Sequence, residues 1–240
     1  MVACGGTERE RMVRMGPYDV ALHRGGVRHI NMRVRPDGTL RISAPLRVGA
    51  QDLERMVMGR ADWIDGRLRE MRDRSLHERT RWQNGSRIVL LGTTYVLSVQ
   101  VAPRRLARLD GDVLWVGLPE GSPYVDGVRA TVDALAKRML ADRLKELFYR
   151  YERAMDVRHA RTRIRRMTSR WGSCNVRTGD ITINLELAYR EPPCLESVVV
   201  HELCHLLEPS HNQNFYRLMG QYHPHWSEAR ARLRDDPPQR

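Results

Sequence analysis

The chain has 240 residues, enough for one large domain or two small ones with a real core. Its 41% apolar and 29% charged residues, with 18 Gly and 12 Pro, exclude a collagen-like or mostly disordered chain. Basic residues outnumber acidic ones by 41 to 29, a net charge of +12, and all but Lys137 and Lys145 of the basic residues are arginines. No apolar run is long enough to cross a bilayer, and residues 1–14 lack an apolar signal centre. A cytoplasmic protein with no membrane partner is therefore expected.

In chain order, residues 1–17 read as a flexible N-terminus. Ile30, Met32 and Val34, then Leu40 and Ile42, alternate with polar residues around Pro36-Asp37-Gly38, which predicts a β-hairpin. Leu53, Met56, Val57, Ile64, Leu68 and Met71 recur at helical spacing and predict one helix over 51–72. Residues 73–86 are polar, contain Asn84-Gly85, and read as a connector. Short β-prone runs follow at 88–91, 95–101 and 113–116, so residues 18–121 form a β-rich region with one helix.

Residues 122–234 read as the part that carries the chemistry. A long amphipathic helix is predicted over 125–156, with Val128, Val132, Leu135, Met139, Leu144, Leu147 and Tyr151 facing inward. Strands are predicted at 161–167 and 181–185, and residues 235–240 form a frayed tail. No internal repeat is visible. The stretch 137–170 holds twelve basic and four acidic residues, a surplus that suits nucleotide or nucleic acid as well as a plain solvated face. Cys4, Cys174, Cys194 and Cys204 form no C-x-x-C pair and read as free thiols, with Cys174 a weak candidate nucleophile.

The segment from Pro192 to Pro209 dominates. Pro192-Pro193 opens a helix and Pro209 stops it, so His201 and His205 lie one turn apart on one face. That spacing lets two neutral imidazoles bind one zinc ion, and Glu202 beside them supplies a base for water. A catalytic zinc needs a third protein ligand. His211 is the leading candidate if the chain turns near Glu208-Pro209; Glu208 is the alternative if the helix continues.

Ser169-Arg170-Trp171-Gly172-Ser173-Cys174, a hairpin ending at Asn184, the run His201-Glu202-Leu203-Cys204-His205 to Pro209-Ser210-His211, and Phe215 resemble the YgjP-like metal-dependent hydrolases. These are relatives of the SprT-like and WLM zinc metallopeptidases. Asp37-Gly38, Ala61-Asp62-Trp63-Ile64 and Leu91-Gly92-Thr93-Thr94-Tyr95 extend the likeness upstream, over about residues 18 to 234. The resemblance implies an α+β fold with a zincin-like core over 122–234, in which a mixed sheet packs on a long helix and on the His-Glu-x-x-His helix. It makes His201, His205 and His211 zinc ligands and Glu202 the base. It also suggests an edge-strand substrate rim at 170–174 and 182–185. Arg170, Trp171 and Asn184 are candidate substrate-binding residues. Cys204 departs from the small residue usual at its position.

Three functions follow as expectations. The leading one is a zinc metallopeptidase acting on peptides or unfolded protein. The second is a metal-dependent nucleoside triphosphate pyrophosphatase on the same site, using arginines of the 158–170 strand. The third is a nucleic-acid-associated protein with a structural zinc.

Overall fold

A computed structural model describes residues 10–35 and 38–235, without the side chains of residues 72–79. The first nine residues, the Pro36-Asp37 part of the expected turn and the expected tail over 236–240 lie outside the described residues. The fold is mixed α+β, and none of the described helices is long and apolar enough to cross a membrane. The chain divides into two compact units, Met1–Arg79 and Thr80–Arg240.

In the first unit, β1 (Arg11–Met15), β2 (Tyr18–Gly25), β3 (Asn31–Val34) and β4 (Leu40–Pro45) make a sheet in the order β1-β2-β4-β3. The expected hairpin is β3–β4, with Val34 opposite Leu40. Residues 11–15 are not a flexible arm: they pair antiparallel with β2 and bury Met15, while Arg11 and Arg14 stay exposed. The expected single helix is two, α1 (Ala50–Met58) and α2 (Ala61–Arg81), broken at Gly59, whose N–H caps α1. The expected connector is helical as far as Arg81, where the sequence carries too few apolar residues to mark an inward face. Leu53, Val57 and Ile64 fill the unit's core with Val20, Leu40 and Ile42.

The second unit opens with β5 (Arg87–Leu90), β6 (Thr93–Val101), β7 (Leu106–Asp110) and β8 (Val113–Leu118), in the order β5-β6-β8-β7. This is the topology of the first sheet used again. In each, the first two strands are antiparallel, the second and fourth parallel, and the last two antiparallel. The repeat that the sequence hides is therefore visible in the pairing. Gly38 and Gly111 occupy the matching hairpin turns, both with positive φ (84° and 56°), where a side chain is strained.

After β8, α3 (Tyr124–Met155) lies across β7 and β8 and buries Val128, Val132, Leu144, Leu147 and Tyr151. Its inner face also takes Ala136 and Leu140, leaving the expected Leu135 and Met139 half-buried at its edges. Leu97, Leu114 and Val116 share a core with α3, so the division expected at 121/122 falls inside one compact unit. β9 (Arg161–Arg165), β10 (Gly172–Asn175) and β11 (Asp180–Asn184) form a second sheet in this unit, order β10-β11-β9. A 3-10 turn over Leu185–Tyr189 leads to α4 (Pro192–Leu207), α5 (Gln213–Tyr222) and α6 (Trp226–Asp235). The central helix α4 packs on α3, α5, α6, β10 and β11, giving the expected arrangement of a sheet, a long helix and the His-Glu-x-x-His helix.

Candidate metal and active site

Two prolines occupy the first turn of α4, where their missing N–H groups cost nothing, and the helix ends at Leu207. Glu208 then adopts an extended backbone (φ −141°, ψ 102°), ahead of Pro209. Its carboxylate accepts from the Ser210 N–H (3.2 Å) and from Asn214 Nδ2 (3.4 Å), so it holds the turn. These bonds keep the carboxyl below its ordinary range. Asn212 caps α5 by accepting from the Phe215 N–H at 3.0 Å.

The turn returns His211 to the α4 face that carries His201 and His205. Nε2 of His211 lies 3.1 Å from Nε2 of His201, and the three imidazoles offer nitrogens within 4.8 Å of one another. A tetrahedral ion with Zn–N bonds of about 2.0–2.1 Å sets its nitrogens about 3.3 Å apart, so the donor set fits a zinc-sized cation. Glu208 is not in this group. Nδ1 of His205 faces the Glu208 carbonyl at 3.4 Å, a contact that favours an Nδ1–H tautomer with Nε2 free for a metal. Burial, reinforced by the charges of His205, His211 and Arg230, pushes His201 down to about 3; burial lowers His205 as well. Both imidazoles are therefore neutral near pH 7, the form that binds metal. The buried ring of Phe215 sits 4.9, 4.8 and 4.7 Å from the rings of His201, His205 and His211 and so buttresses all three.

Glu202 is only 4% exposed and lies over the backbone of β10. A Cβ at Gly172 would stand 2.9 Å from Glu202 Cδ, so the carboxylate occupies space that only glycine leaves open. Burial pushes this carboxyl up to about 8, against the opposing pull of the Arg170 charge. Glu202, His201, His211, Arg170, Trp171 and Gly172 line one cavity of about 460 Å³, closed on its far side by residues of α5 and α6.

The other expected residues are placed differently. Trp171 lines the cavity while its Nε1–H donates to the Leu233 carbonyl at 3.2 Å, which ties the loop before β10 to α6. Asn184 is fully buried and cannot meet substrate. Its Nδ2 donates to the carbonyls of Met167 (2.8 Å) and Arg170 (2.9 Å), and its Oδ1 accepts from the N–H groups of Met167 and Glu186. All four bonding positions of the amide are thus used to set the loop that carries Arg170 and Trp171. Residues 182–184 cannot be a rim either, because β11 is paired on both sides; β10 is the edge strand beside α4. Cys174 has its thiol pushed up to about 11 by burial and by the Glu202 charge, which leaves it protonated and a poor nucleophile.

Half of the basic residues in the stretch are ion-paired among the described residues. Arg161 and Arg163 share Asp180, Arg166 binds Asp133 and Glu186, and Arg143, Lys145 and Arg150 have acidic neighbours. No arginine of β9 lines the cavity. The sequence reading missed Gly172 as a spacer, Phe215 as a buttress, and Trp226, Arg230 and Leu233 as cavity wall. For Phe215 the available signal was its place in the first turn of the helix that Asn212 caps just after His211. Nothing local marks the α6 residues.

The crystal structure of the metallopeptidase zymogen of Pyrococcus abyssi abylysin is similar to part of the chain, with 19% identity and a TM-score of 0.37 over 40% of this chain and 96% of that one. No curated protein matches. The family model described as YgjP-like, metallopeptidase domain, matches residues 28–236, nearly the whole length. The chain belongs to the YgjP-like metallopeptidase-domain family.

Proposed function

We propose that the protein is a zinc metallopeptidase in which His201, His205 and His211 hold the metal and Glu202 is the general base. Membership of a metallopeptidase family already implies hydrolysis that depends on a divalent metal. The observation that carries the finer reading is the meeting of three imidazoles whose nitrogens lie within 4.8 Å of one another, with His201, His211 and the buried carboxyl of Glu202 lining a single cavity. A zinc ion there would polarise the scissile carbonyl and lower the pKa of water to about 7. Glu202, fixed over Gly172, takes a proton from the attacking water on a carboxylate oxygen and delivers it to the leaving amine nitrogen.

The unpaired edge of β10 offers backbone N–H and C=O groups to an extended peptide, so an unfolded protein or peptide is the substrate class. For nucleotide hydrolysis, Arg163 and Arg166 among the expected phosphate holders are engaged by Asp180, Asp133 and Glu186, and of the 158–170 arginines Arg170 alone lines the cavity. A structural zinc would close its fourth position with protein, whereas this donor set faces open cavity. The test is cleavage of an unfolded protein by the zinc-loaded chain beside variants of the three histidines. Metal-dependent cleavage lost in each variant is expected; cleavage that persists without the histidines would contradict the reading.

A further inference from the structure

The cavity has a second half that the hydrolytic step does not use. From α5 and α6 it receives Tyr216, Met219, Trp226 and Leu233, an apolar wall in which the rings of Tyr216 and Trp226 stack at 5.3 Å. The wall is anchored, because α6 packs on α4 and Trp171 donates to the Leu233 carbonyl. Two guanidinium groups edge it: Arg170 from the loop before β10 and Arg230 from α6. Arg230 lies near enough to Trp226 to stand 5.9 Å from its ring centroid, and its charge reaches His201. Neither arginine has an ion pair with a carboxylate among the described residues, whereas the third cavity arginine, Arg234, has Asp235 at 3.6 Å. Among the described residues lining the cavity, Glu202 is the one carboxylate, and it faces Gly172.

An apolar wall edged by Arg230 and Arg170, neither ion-paired among the described residues although the charge of Arg170 also acts on Glu202, selects an apolar body that bears a negative charge. The planar fork of a guanidinium suits a carboxylate in particular. We propose that this cavity is a specificity pocket for a substrate residue that carries a carboxylate, with Arg230 and Arg170 as its charge partners. The carboxylate has two possible sources, the free end of a peptide or an Asp or Glu side chain. The proposal rests on the peptidase reading for its substrate class, but it concerns α6 and the Arg170 loop, not the hydrolytic groups. It makes Arg230 a specificity residue.

The test uses the full-length zinc-loaded Glu202→Gln protein, which does not turn over, with binding followed by tryptophan fluorescence. One arm compares acetyl-Ala-Phe acid with its amide; the other compares acetyl-Ala-Glu amide with acetyl-Ala-Gln amide. The charged member of at least one pair is expected to bind about tenfold more tightly, as a charge-assisted hydrogen bond to Arg230 would give. Arg230→Gln should bring that ratio near one, and Arg230→Lys should fall between, since it keeps charge but loses the fork. The arm that shows the ratio identifies the source. Equal binding within both pairs, while the wild type still cleaves peptides, overturns the pocket and leaves the peptidase standing. An Arg230-dependent ratio with no cleavage by the wild type keeps the pocket and removes the peptidase. Inorganic triphosphate that binds more tightly than either acid, and does so through Arg230, overturns the carboxylate proposal in favour of a phosphate ligand.

Discussion

The two four-stranded sheets share one topology but are put to different use. In the first unit, the sheet β1-β2-β4-β3 is completed by α1 and α2, and Leu53, Val57 and Ile64 close a core that, among the described residues, contains no candidate metal ligand. In the second, the sheet β5-β6-β8-β7 is covered by α3, whose buried residues share a core with β11 and α4. The same strand pattern thus makes a self-contained unit in one case and the foundation of a metal site in the other. The difference lies in the helix that follows. A 32-residue α3 is long enough to meet both a sheet and α4, whereas the 9-residue α1 is not.

This contrast can be broken by substitution. His205→Ala should have the largest effect, with loss of bound zinc and at least about a thousandfold loss of hydrolysis, because the ligand set falls to two. Metal analysis and turnover on an unfolded protein check it. No single substitution in the first unit should do the same. Gly172→Ala comes next: its Cβ would displace the Glu202 carboxylate, and activity should drop about a hundredfold with zinc retained. Its counterpart, Gly38→Ala, meets only Leu68 at 3.8 Å but keeps a positive φ, so it should cost about 1 kcal/mol of stability with turnover intact. Leu53→Ala should cost the first unit about 2–5 kcal/mol, seen as one early thermal transition, while zinc stays bound. Loss of zinc on that transition would show that the units do not unfold separately. Trp171→Phe, which removes the Nε1–H bond to the Leu233 carbonyl, should likewise cost about 1 kcal/mol.

What the sequence shows of the site follows from which groups are local. His201, Glu202 and His205 lie within five residues of one helix, so helical periodicity alone sets their faces. His211 was legible through Pro209, which forces the chain off the helix axis. Gly172 and Asn184 depend on contacts across 30 and 17 residues, to Glu202 and Met167, and Arg230 acts on His201 by charge across 29 residues; no periodicity encodes these. The fold shows the same limit. The long α3 reads clearly, but β1 (Arg-Met-Val-Arg-Met) and β7 (Leu-Ala-Arg-Leu-Asp) show no period-two alternation that would mark a strand. The repeated topology escapes notice because pairing order, and not residue identity, carries it.

The most direct test of the account is the Glu202→Gln variant, which keeps the shape of the side chain and removes its basicity. Zinc content and cleavage of an unfolded protein would be measured together, beside the wild type. The account predicts about one zinc per chain in both proteins and a loss of about a hundredfold to ten-thousandfold in turnover for the variant. Undiminished cleavage by a zinc-loaded Glu202→Gln protein would contradict it.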